Sequence, residues 1–174
     1  MSERKRILGI DPSIASTGYA CIQDGELIDC GTITTSSRHT ETLRMHELFE
    51  GIRELVYKCQ PHMTVMEDQF MGKNAQTSLY LARARGVAMI SAYEAGSMIT
   101  IYSPMEIKKC IAGIGNAKKD LVQEKIIELY KDNQYIQAYF SNGIKTTGKL
   151  KNDDISDAIA IAHTHYQLQA GRLI

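Results

Sequence analysis

Four acids spread along the chain are the residues with the clearest potential for chemistry. Asp11 and Glu67 each end a short apolar run that has the length of a buried strand. Asp154 and Asp157 lie three residues apart at the start of a helical pattern, so they share one helix face. Because buried acids are costly and clustered acids repel one another, such a set needs compensating charge. Hard divalent cations such as Mg²⁺ or Mn²⁺ supply it at oxygen-rich sites.

The reaction that such a set of acids serves is two-metal cleavage of a phosphodiester, in which one ion activates water and the other stabilises the leaving oxygen. Acids at the carboxyl ends of adjacent strands converge on the crevice where α/β sheets place their sites. Any one of the four acids is about as often a helix cap or a surface group. Their joint placement favours a metal site. Asp68 and Asp153 are neighbours able to replace an assigned ligand, although strand alternation points Asp68 away from Glu67.

The elements that must position these acids follow from hydrophobic periodicity and turn residues. An Asp24-Gly25 pair between two β-type runs predicts a hairpin. Ser103-Pro104 predicts a helix start, with a capping side chain followed by proline. The predicted strands are 6–10, 18–23, 27–34, 63–66 and 98–102, and the main predicted helices are 40–58, 76–95, 117–130 and 153–169. This order predicts an α/β fold with a mixed five-stranded sheet flanked by helices.

Residues 131–150 differ from the rest, because they combine polar turn residues, lysines and aromatic side chains with little regular pattern. We therefore expect a single domain over 1–174 with a flexible insertion at about 131–150.

Bulk composition sets few limits on function. The 174 residues include 20 Lys and Arg against 20 Asp and Glu, so the formal net charge is zero. This charge neither indicates nor excludes a nucleic-acid partner. The four cysteines show no Cys-x-x-Cys spacing, which fits reduced thiols. No apolar run is long enough for a membrane span, so we expect a cytoplasmic protein with no membrane partner.

Several motifs, taken in order, make the chain resemble the RuvC family of Holliday-junction resolvases, within the RNase H-like (retroviral integrase) superfamily. The motifs cover almost the whole chain: Gly9-Ile10-Asp11-Pro12 with Thr17-Gly18, Glu67 with Phe70-Met71 and Lys73-Asn74-Ala75, Ala84-Arg85-Gly86, Gly113 to Lys119, and Asp154 to Ala162. The resemblance implies an RNase H-like fold and a homodimer that nicks a four-way junction in pairs. It also implies that Asp11, Glu67, Asp154 and Asp157 bind two Mg²⁺ ions, which Mn²⁺ would replace.

The resemblance and the local sequence together suggest which residues bind DNA. Phe70 lies in a polar loop just beyond Glu67, and an exposed ring there can stack on an unpaired base, worth ~1–3 kcal/mol. The resemblance gives Phe70 this role at the junction crossover, and it places Lys108 and Lys119 near the scissile phosphate, where Lys119 would stabilise developing charge. Lys118 and Lys119 also follow a Gly-rich turn into a helix N-terminus, which attracts phosphate. Lys73 and Arg85 would extend this surface.

Three departures from the family pattern are visible: Ser13 replaces the usual glycine after Asp-Pro, the segment 131–150 is longer, and the net charge is neutral. The last two suggest a diverged, phage-encoded member, and they leave open the cleavage-site preference and the need for a partner helicase. The chain has no Arg, Asn and Gln cluster placed to read a major groove, which predicts weak sequence preference.

Two alternatives remain open from the sequence. Gly9 to Ser13 also resembles the phosphate loop of actin-like ATPases, although those enzymes need two such domains. A dimer that binds branched DNA without cleaving it is the other alternative, and the presence of all four acids argues against it. The Ala- and Gly-containing helix predicted at 76–95 would suit close packing at a two-fold interface, which matches the approximate symmetry of a four-way junction.

Overall fold

A computed structural model describes residues 5–68, 75–141 and 153–171. The strands are β1 (Arg6–Asp11), β2 (Ser16–Gln23), β3 (Glu26–Thr34), β4 (Met63–Glu67) and β5 (Met98–Tyr102). The helices are α1 (Glu41–Cys59), α2 (Ala75–Glu94), α3 (Pro104–Ala112), α4 (Lys119–Leu129), α5 (Gln134–Ser141) and α6 (Asp153–Ala170). The predicted elements are confirmed to within about two residues at most ends.

The five strands form one mixed sheet in the order β3-β2-β1-β4-β5. Strands β1, β2 and β3 pair antiparallel, whereas β1 pairs parallel with β4 and β4 with β5. The β2–β3 turn consists of Asp24 and Gly25, both at positive φ, as a tight hairpin turn requires. Pairing of Ile10 with Met66 brings the carboxyl ends of β1 and β4 to the same edge of the sheet.

Helices cover both faces of the sheet, and two separate apolar clusters fill the space beneath them. One cluster joins the sheet to α1 and α2, with Leu8, Ile10 and Met66 among its buried members. The other joins the opposite face to α6, α3 and α4, with Val65 and Ile159 among its members. Alternation along β1 and β4 therefore points the next residues, Asp11 and Glu67, to the α6 side.

Helix α6 lies directly on the backbones of β1 and β2, and two glycines make this approach possible. A Cβ on Gly9 would lie 2.3 Å from the Ala158 carbonyl oxygen, and a Cβ on Gly18 would lie 2.0 Å from the Asp154 carbonyl oxygen. No side chain fits at either position. The close packing brings the first turns of α6, with their acids, against the end of β1.

The segment expected to be a flexible insertion begins differently from the prediction. Residues Gln134–Ser141 form α5, and its buried Ile136 belongs to the core cluster that also contains Ile155 and Ile159 of α6. The helix has only 8 residues and lies among polar turn residues, which is why the sequence pattern missed it. Residues 142–150 of that segment lie outside the described residues.

All four cysteines are free thiols, as the sequence suggested. Among the described helices, none is both long enough and apolar enough to cross a membrane.

Candidate active site

Two neighbouring parallel strands place the first two acids. Asp11 ends β1 and Glu67 ends β4, directly after the paired residues Ile10 and Met66. The turn that follows Asp11 is held by the buried Thr17, whose hydroxyl donates to the Ser13 carbonyl oxygen at 2.6 Å and accepts from the Ser13 N–H at 3.0 Å. The Asp-Pro-Ser turn is thus stabilised without a glycine after Asp-Pro.

The other two acids come from the first two turns of α6 and lie over Asp11. Gly18 pairs with Asp11 across β1 and β2 and also contacts Asp154, so these residues are neighbours. Asp157 is one turn further along the same helix face. The charges of Asp157, Glu67 and Asp154 all act on Asp11. The structure therefore brings together the four acids that the sequence singled out.

The negative charges of this cluster are only partly balanced by nearby cations. Burial, together with the neighbouring charges of Asp157, Glu67 and Asp154, raises the pKa of Asp11 from 3.8 to about 7, with Lys119 opposing the rise. Burial and Asp157 raise the pKa of Glu67, against the opposing influence of Lys108 and Lys119. Burial also raises the pKa of Asp157, although its bond to Lys119 opposes this rise. A bound cation would remove the repulsion.

Lys119 is the cation in direct contact with the acids. Its Nζ lies 2.7 Å from Asp157 Oδ2 and 3.6 Å from Asp153 Oδ2. Burial tends to lower the pKa of Lys119, but the hydrogen bond to Asp157 and the nearby carboxylates outweigh it and raise the pKa. Lys119 is the first residue of α4, which explains how a residue far from the acids in sequence reaches them.

A cleft of roughly 260 Å³ opens beside the acids. Its lining combines acids, lysines and apolar side chains. Its charged lining residues are Glu67, Asp157, Lys108 and Lys119. Lys108 projects from α3, which begins at a capping box made by Ser103 and Glu106. Lys108 lies in the second turn of α3 and lines the cleft.

The remaining predicted DNA-binding residues that the structure describes lie at different distances from the acids. Lys118 is exposed at the N-terminus of α4, beside Lys119. Arg85 lies on α2 and forms an ion pair with Asp68, the residue after Glu67. Asp68 thus points to the α2 side, as alternation predicted, and away from Glu67. Phe70 and Lys73 lie outside the described residues.

Two polar side chains around the acids were missed by the sequence analysis. Ser16 Oγ donates to Asp154 Oδ2 at 2.6 Å. Gln123, which is 2 % exposed, donates from Nε2 to Asp153 Oδ1 at 2.8 Å. A serine at a strand start and a glutamine in an amphipathic helix give no local signal of such contacts.

The donor set fits hard divalent cations, because it consists of carboxylate oxygens that repel one another and are partly desolvated. Within the described residues, no group of three or more His, Cys, Asp or Glu side chains is placed so that it could hold a metal ion. Asp157 contacts the ammonium group of Lys119.

The two histidines of α6 have other partners. His163 Nδ1 lies 2.7 Å from the Tyr130 hydroxyl, and His165 Nδ1 lies 2.9 Å from the Tyr102 hydroxyl. The two rings therefore face different neighbours.

Comparisons with known proteins identify the family of the chain. Residues 7–165 match the family model described as crossover junction endodeoxyribonuclease RuvC. The crossover junction endodeoxyribonuclease RuvC of Geobacter metallireducens is 34 % identical over 164 residues, which cover 92 % of this chain and 91 % of the relative. That of Citrifermentans bemidjiense is 35 % identical over 163 residues, covering 91 % and 90 %. Both relatives are bacterial, so the expected phage origin has no support.

Solved structures share the fold. The T. thermophilus RuvC in complex with Holliday junction substrate has a TM-score of 0.77 and 23 % identity, and the match covers 96 % of each chain. The yeast mitochondrial Holliday junction resolvase Ydc2 has a TM-score of 0.67 and 20 % identity, covering 95 % of this chain and 81 % of that one. The predicted RNase H-like fold is therefore confirmed.

Proposed function

This chain belongs to the RuvC family of crossover junction endodeoxyribonucleases, and from that premise we propose that it resolves Holliday junctions by hydrolysis at the acidic cluster. The observation that carries the proposal is the convergence of Asp11, Glu67, Asp154 and Asp157 beside a cleft lined by two lysines. The family match covers the nuclease site from end to end, and it gives no support to the actin-like alternative.

The family is one of divalent-metal-dependent nucleases, and the four acids are the residues that would hold the metal. We propose Mg²⁺, as two ions, with Mn²⁺ able to replace it, because all the donors are hard carboxylate oxygens. Ions held by these acids would supply activation of water and stabilisation of negative charge on the scissile phosphate. The raised pKa of Asp11 supports this assignment, since a cation at the cluster would restore its carboxylate form.

The two lysines of the cleft would contact and position the DNA. Lys108 and Lys119 line the same cleft as Glu67 and Asp157, so a phosphate in the cleft would lie close to both cations and acids. Lys119 is held by its contacts with Asp157 and Asp153 and is half exposed, so it can turn towards a phosphate oxygen without unfolding α4. We assign it the role of stabilising negative charge on the phosphate.

Other predicted contacts would hold the junction. Lys118, at the exposed start of α4, would add a cation beside Lys119. Arg85 would have to exchange its bond with Asp68 for a phosphate contact. Phe70 and Lys73, whose positions in the sequence follow Glu67, would contact the crossover, with Phe70 stacking on an unpaired base.

Junction resolution also needs two sites, and α2 offers a surface for a homodimer. Its residues 79, 82, 86, 90 and 93 recur at three- and four-residue steps, and all are exposed. Leu79, Ile90 and Tyr93 are 52 %, 48 % and 70 % exposed, while Ala82 and Gly86 leave room for a close approach. An apolar stripe with a small centre suits self-association of helices about a two-fold axis. Such a dimer would place one site on each of two opposed strands of the junction.

The proposal is tested with a synthetic immobile four-way junction, in Mg²⁺ and in EDTA, by mapping nicks on each strand. We expect symmetric nicks that need the metal and leave ligatable ends. Asp11→Asn, Glu67→Gln, Asp154→Asn and Asp157→Asn should each nearly abolish nicking while junction binding survives in Ca²⁺, because phosphate contacts elsewhere carry most of the affinity. Junction binding with no nicking by the wild-type protein would support the non-cleaving alternative. Wild-type rates in two or more variants would refute the ligand assignment.

A further inference from the structure

Ser16 makes a contact with the acidic cluster that the proposed reaction does not account for. Its Oγ donates to Asp154 Oδ2 at 2.6 Å, joining the first residue of β2 to the first turn of α6. The two residues are 138 positions apart in the chain. We propose that Ser16 is a positioning residue, which holds the Asp154 carboxylate in the orientation that binds the metal. This inference rests on the proposed metal role of Asp154.

The backbone around Ser16 gives this contact a fixed geometry. Ser16 and Gly18 are two residues apart on β2, so both face α6. At Gly18, the strand lies so close to α6 that a Cβ would be 3.0 Å from Asp154 Cβ and 2.0 Å from its carbonyl oxygen. Gly18 also pairs with Asp11 in the sheet. The hydroxyl of Ser16 therefore reaches Asp154 from the same strand whose Gly18 pairs with Asp11.

A hydroxyl bound to one carboxylate oxygen restricts the rotation of the acid and leaves the second oxygen for a cation. Such outer partners orient metal ligands, and their removal typically weakens metal binding by about 10–100-fold. The other polar side chains near the cluster contact its other acids: Lys119 contacts Asp157 and Asp153, and Gln123 contacts Asp153. The orientation of Asp154 therefore depends on a different partner. Among the described residues, the Ser16 hydroxyl is the side-chain donor in hydrogen-bond contact with the Asp154 carboxylate.

A purely structural role for this hydrogen bond is a poor alternative. The bond goes to the side chain of Asp154 and not to the backbone of α6, so it does not cap the helix. Helix α6 is held in place by a long series of buried residues, among them Ile155, Ala158 and Ile159. Loss of one partly buried hydroxyl should therefore leave the helix docked.

The test compares substitutions that keep or remove the hydroxyl at constant shape. Ser16→Thr keeps the hydroxyl, Ser16→Val is its isostere without one, and Ser16→Ala removes the hydroxyl with the least change of volume. Mn²⁺ binding to the protein without DNA is measured by calorimetry, and junction nicking is measured over a series of Mg²⁺ concentrations. Ser36→Ala, at a surface turn, serves as the control substitution.

We expect Ser16→Ala and Ser16→Val to raise the dissociation constant for Mn²⁺ and the half-saturating Mg²⁺ concentration about tenfold, with nicking restored at saturating metal. Ser16→Thr should stay within about twofold of wild type, since it keeps the hydroxyl. Unchanged metal affinity in Ser16→Ala, or a Ser16→Thr variant as weak as Ser16→Val, would overturn the inference.

Asp154→Asn separates this inference from the function on which it rests. If Asp154→Asn binds Mn²⁺ like the wild type, Asp154 is not a metal ligand, and both proposals fail at this residue. If Asp154→Asn loses affinity while Ser16→Ala does not, the metal site stands and only the positioning role of Ser16 is refuted.

Discussion

Replacement of Asp11 by asparagine should stabilise the protein when no divalent metal is bound. The pKa of Asp11 is 3.8 in its ordinary state and about 7 in the folded chain, chiefly because of burial. Between these two values the folded state holds a proton that the unfolded state has lost, so the free energy of unfolding falls as the pH rises. At ~1.4 kcal/mol per pH unit, the full rise corresponds to at most ~4 kcal/mol above pH 7. Water screens a partly exposed carboxylate and reduces this effect. We therefore expect the free energy of unfolding of Asp11→Asn to exceed that of the wild type by ~2 kcal/mol at pH 8.

The pH dependence of this gain distinguishes charge repulsion from a general packing effect. At pH 5.5 the folded protein keeps the Asp11 proton, so about half of the gain should disappear. The assay is urea unfolding followed by circular dichroism in EDTA, at one protein concentration because an oligomer's stability depends on it. Glu124→Gln, at an exposed position of α4, is the control and should show no pH-dependent gain.

Addition of Mn²⁺ completes this experiment. A ligand that binds only the folded state stabilises it by ~2.7 kcal/mol at a hundredfold excess over the dissociation constant. The wild type should gain this stability and Asp11→Asn should gain much less. The difference between their free energies of unfolding should therefore shrink or change sign. An Asp11→Asn variant that is no more stable than the wild type at pH 8 in EDTA, or whose gain is equal at pH 5.5, would refute the electrostatic argument.

Four further outcomes are expected. Lys119→Met should lower nicking at saturating metal by ~10²–10³-fold, the effect of losing one charge-stabilising group, whereas Lys125→Met on the exposed side of α4 should not; equal rates for the two would contradict the role of Lys119. Ile90→Glu should shift the protein from dimer to monomer in light scattering after size exclusion, and Leu129→Glu, at a similarly exposed site on α4, should not; a dimer in both variants would place the interface elsewhere. Phe70→Ala should reduce nicking of a rigid junction more than that of a pre-melted one, with little loss of affinity, and equal losses on both would remove Phe70 from base stacking. Junctions of varied crossover sequence should all be nicked, and cutting confined to one short consensus would contradict the predicted weak sequence preference.

Much of the fold could be predicted because its signals are local. The Asp24-Gly25 turn, the Ser103-Pro104 helix start and the apolar runs before Asp11 and Glu67 all appear where the sequence pattern indicated. Helix α5 was missed, because it is short and lies among polar turn residues and lysines. Among the side chains of α5 that the structure describes, Ile136 is the buried one, and a helix of this length depends on docking against the rest of the protein.

The site was predictable in its residue types and less so in its contacts. Acids at the ends of apolar strands and three apart on a helix are visible in the sequence, because strand and helix periods are short. The partners of these acids come from remote parts of the chain. Lys119 reaches Asp157 from another helix, and Gln123 reaches Asp153 in the same way. No local pattern encodes such pairs.

The sequence by itself determined that this protein has strands ending on acids, a helix beginning with two more, and the order of motifs typical of its family. Only the tertiary structure decided how these acids meet. The parallel register of β1 and β4 aligns Asp11 with Glu67, and the bare backbones of Gly9 and Gly18 admit α6 closely enough to bring in Asp154 and Asp157. The physical reason is that periodicity depends on neighbours in the chain, whereas charge repulsion, burial and hydrogen bonds such as that of Ser16 depend on distances in space.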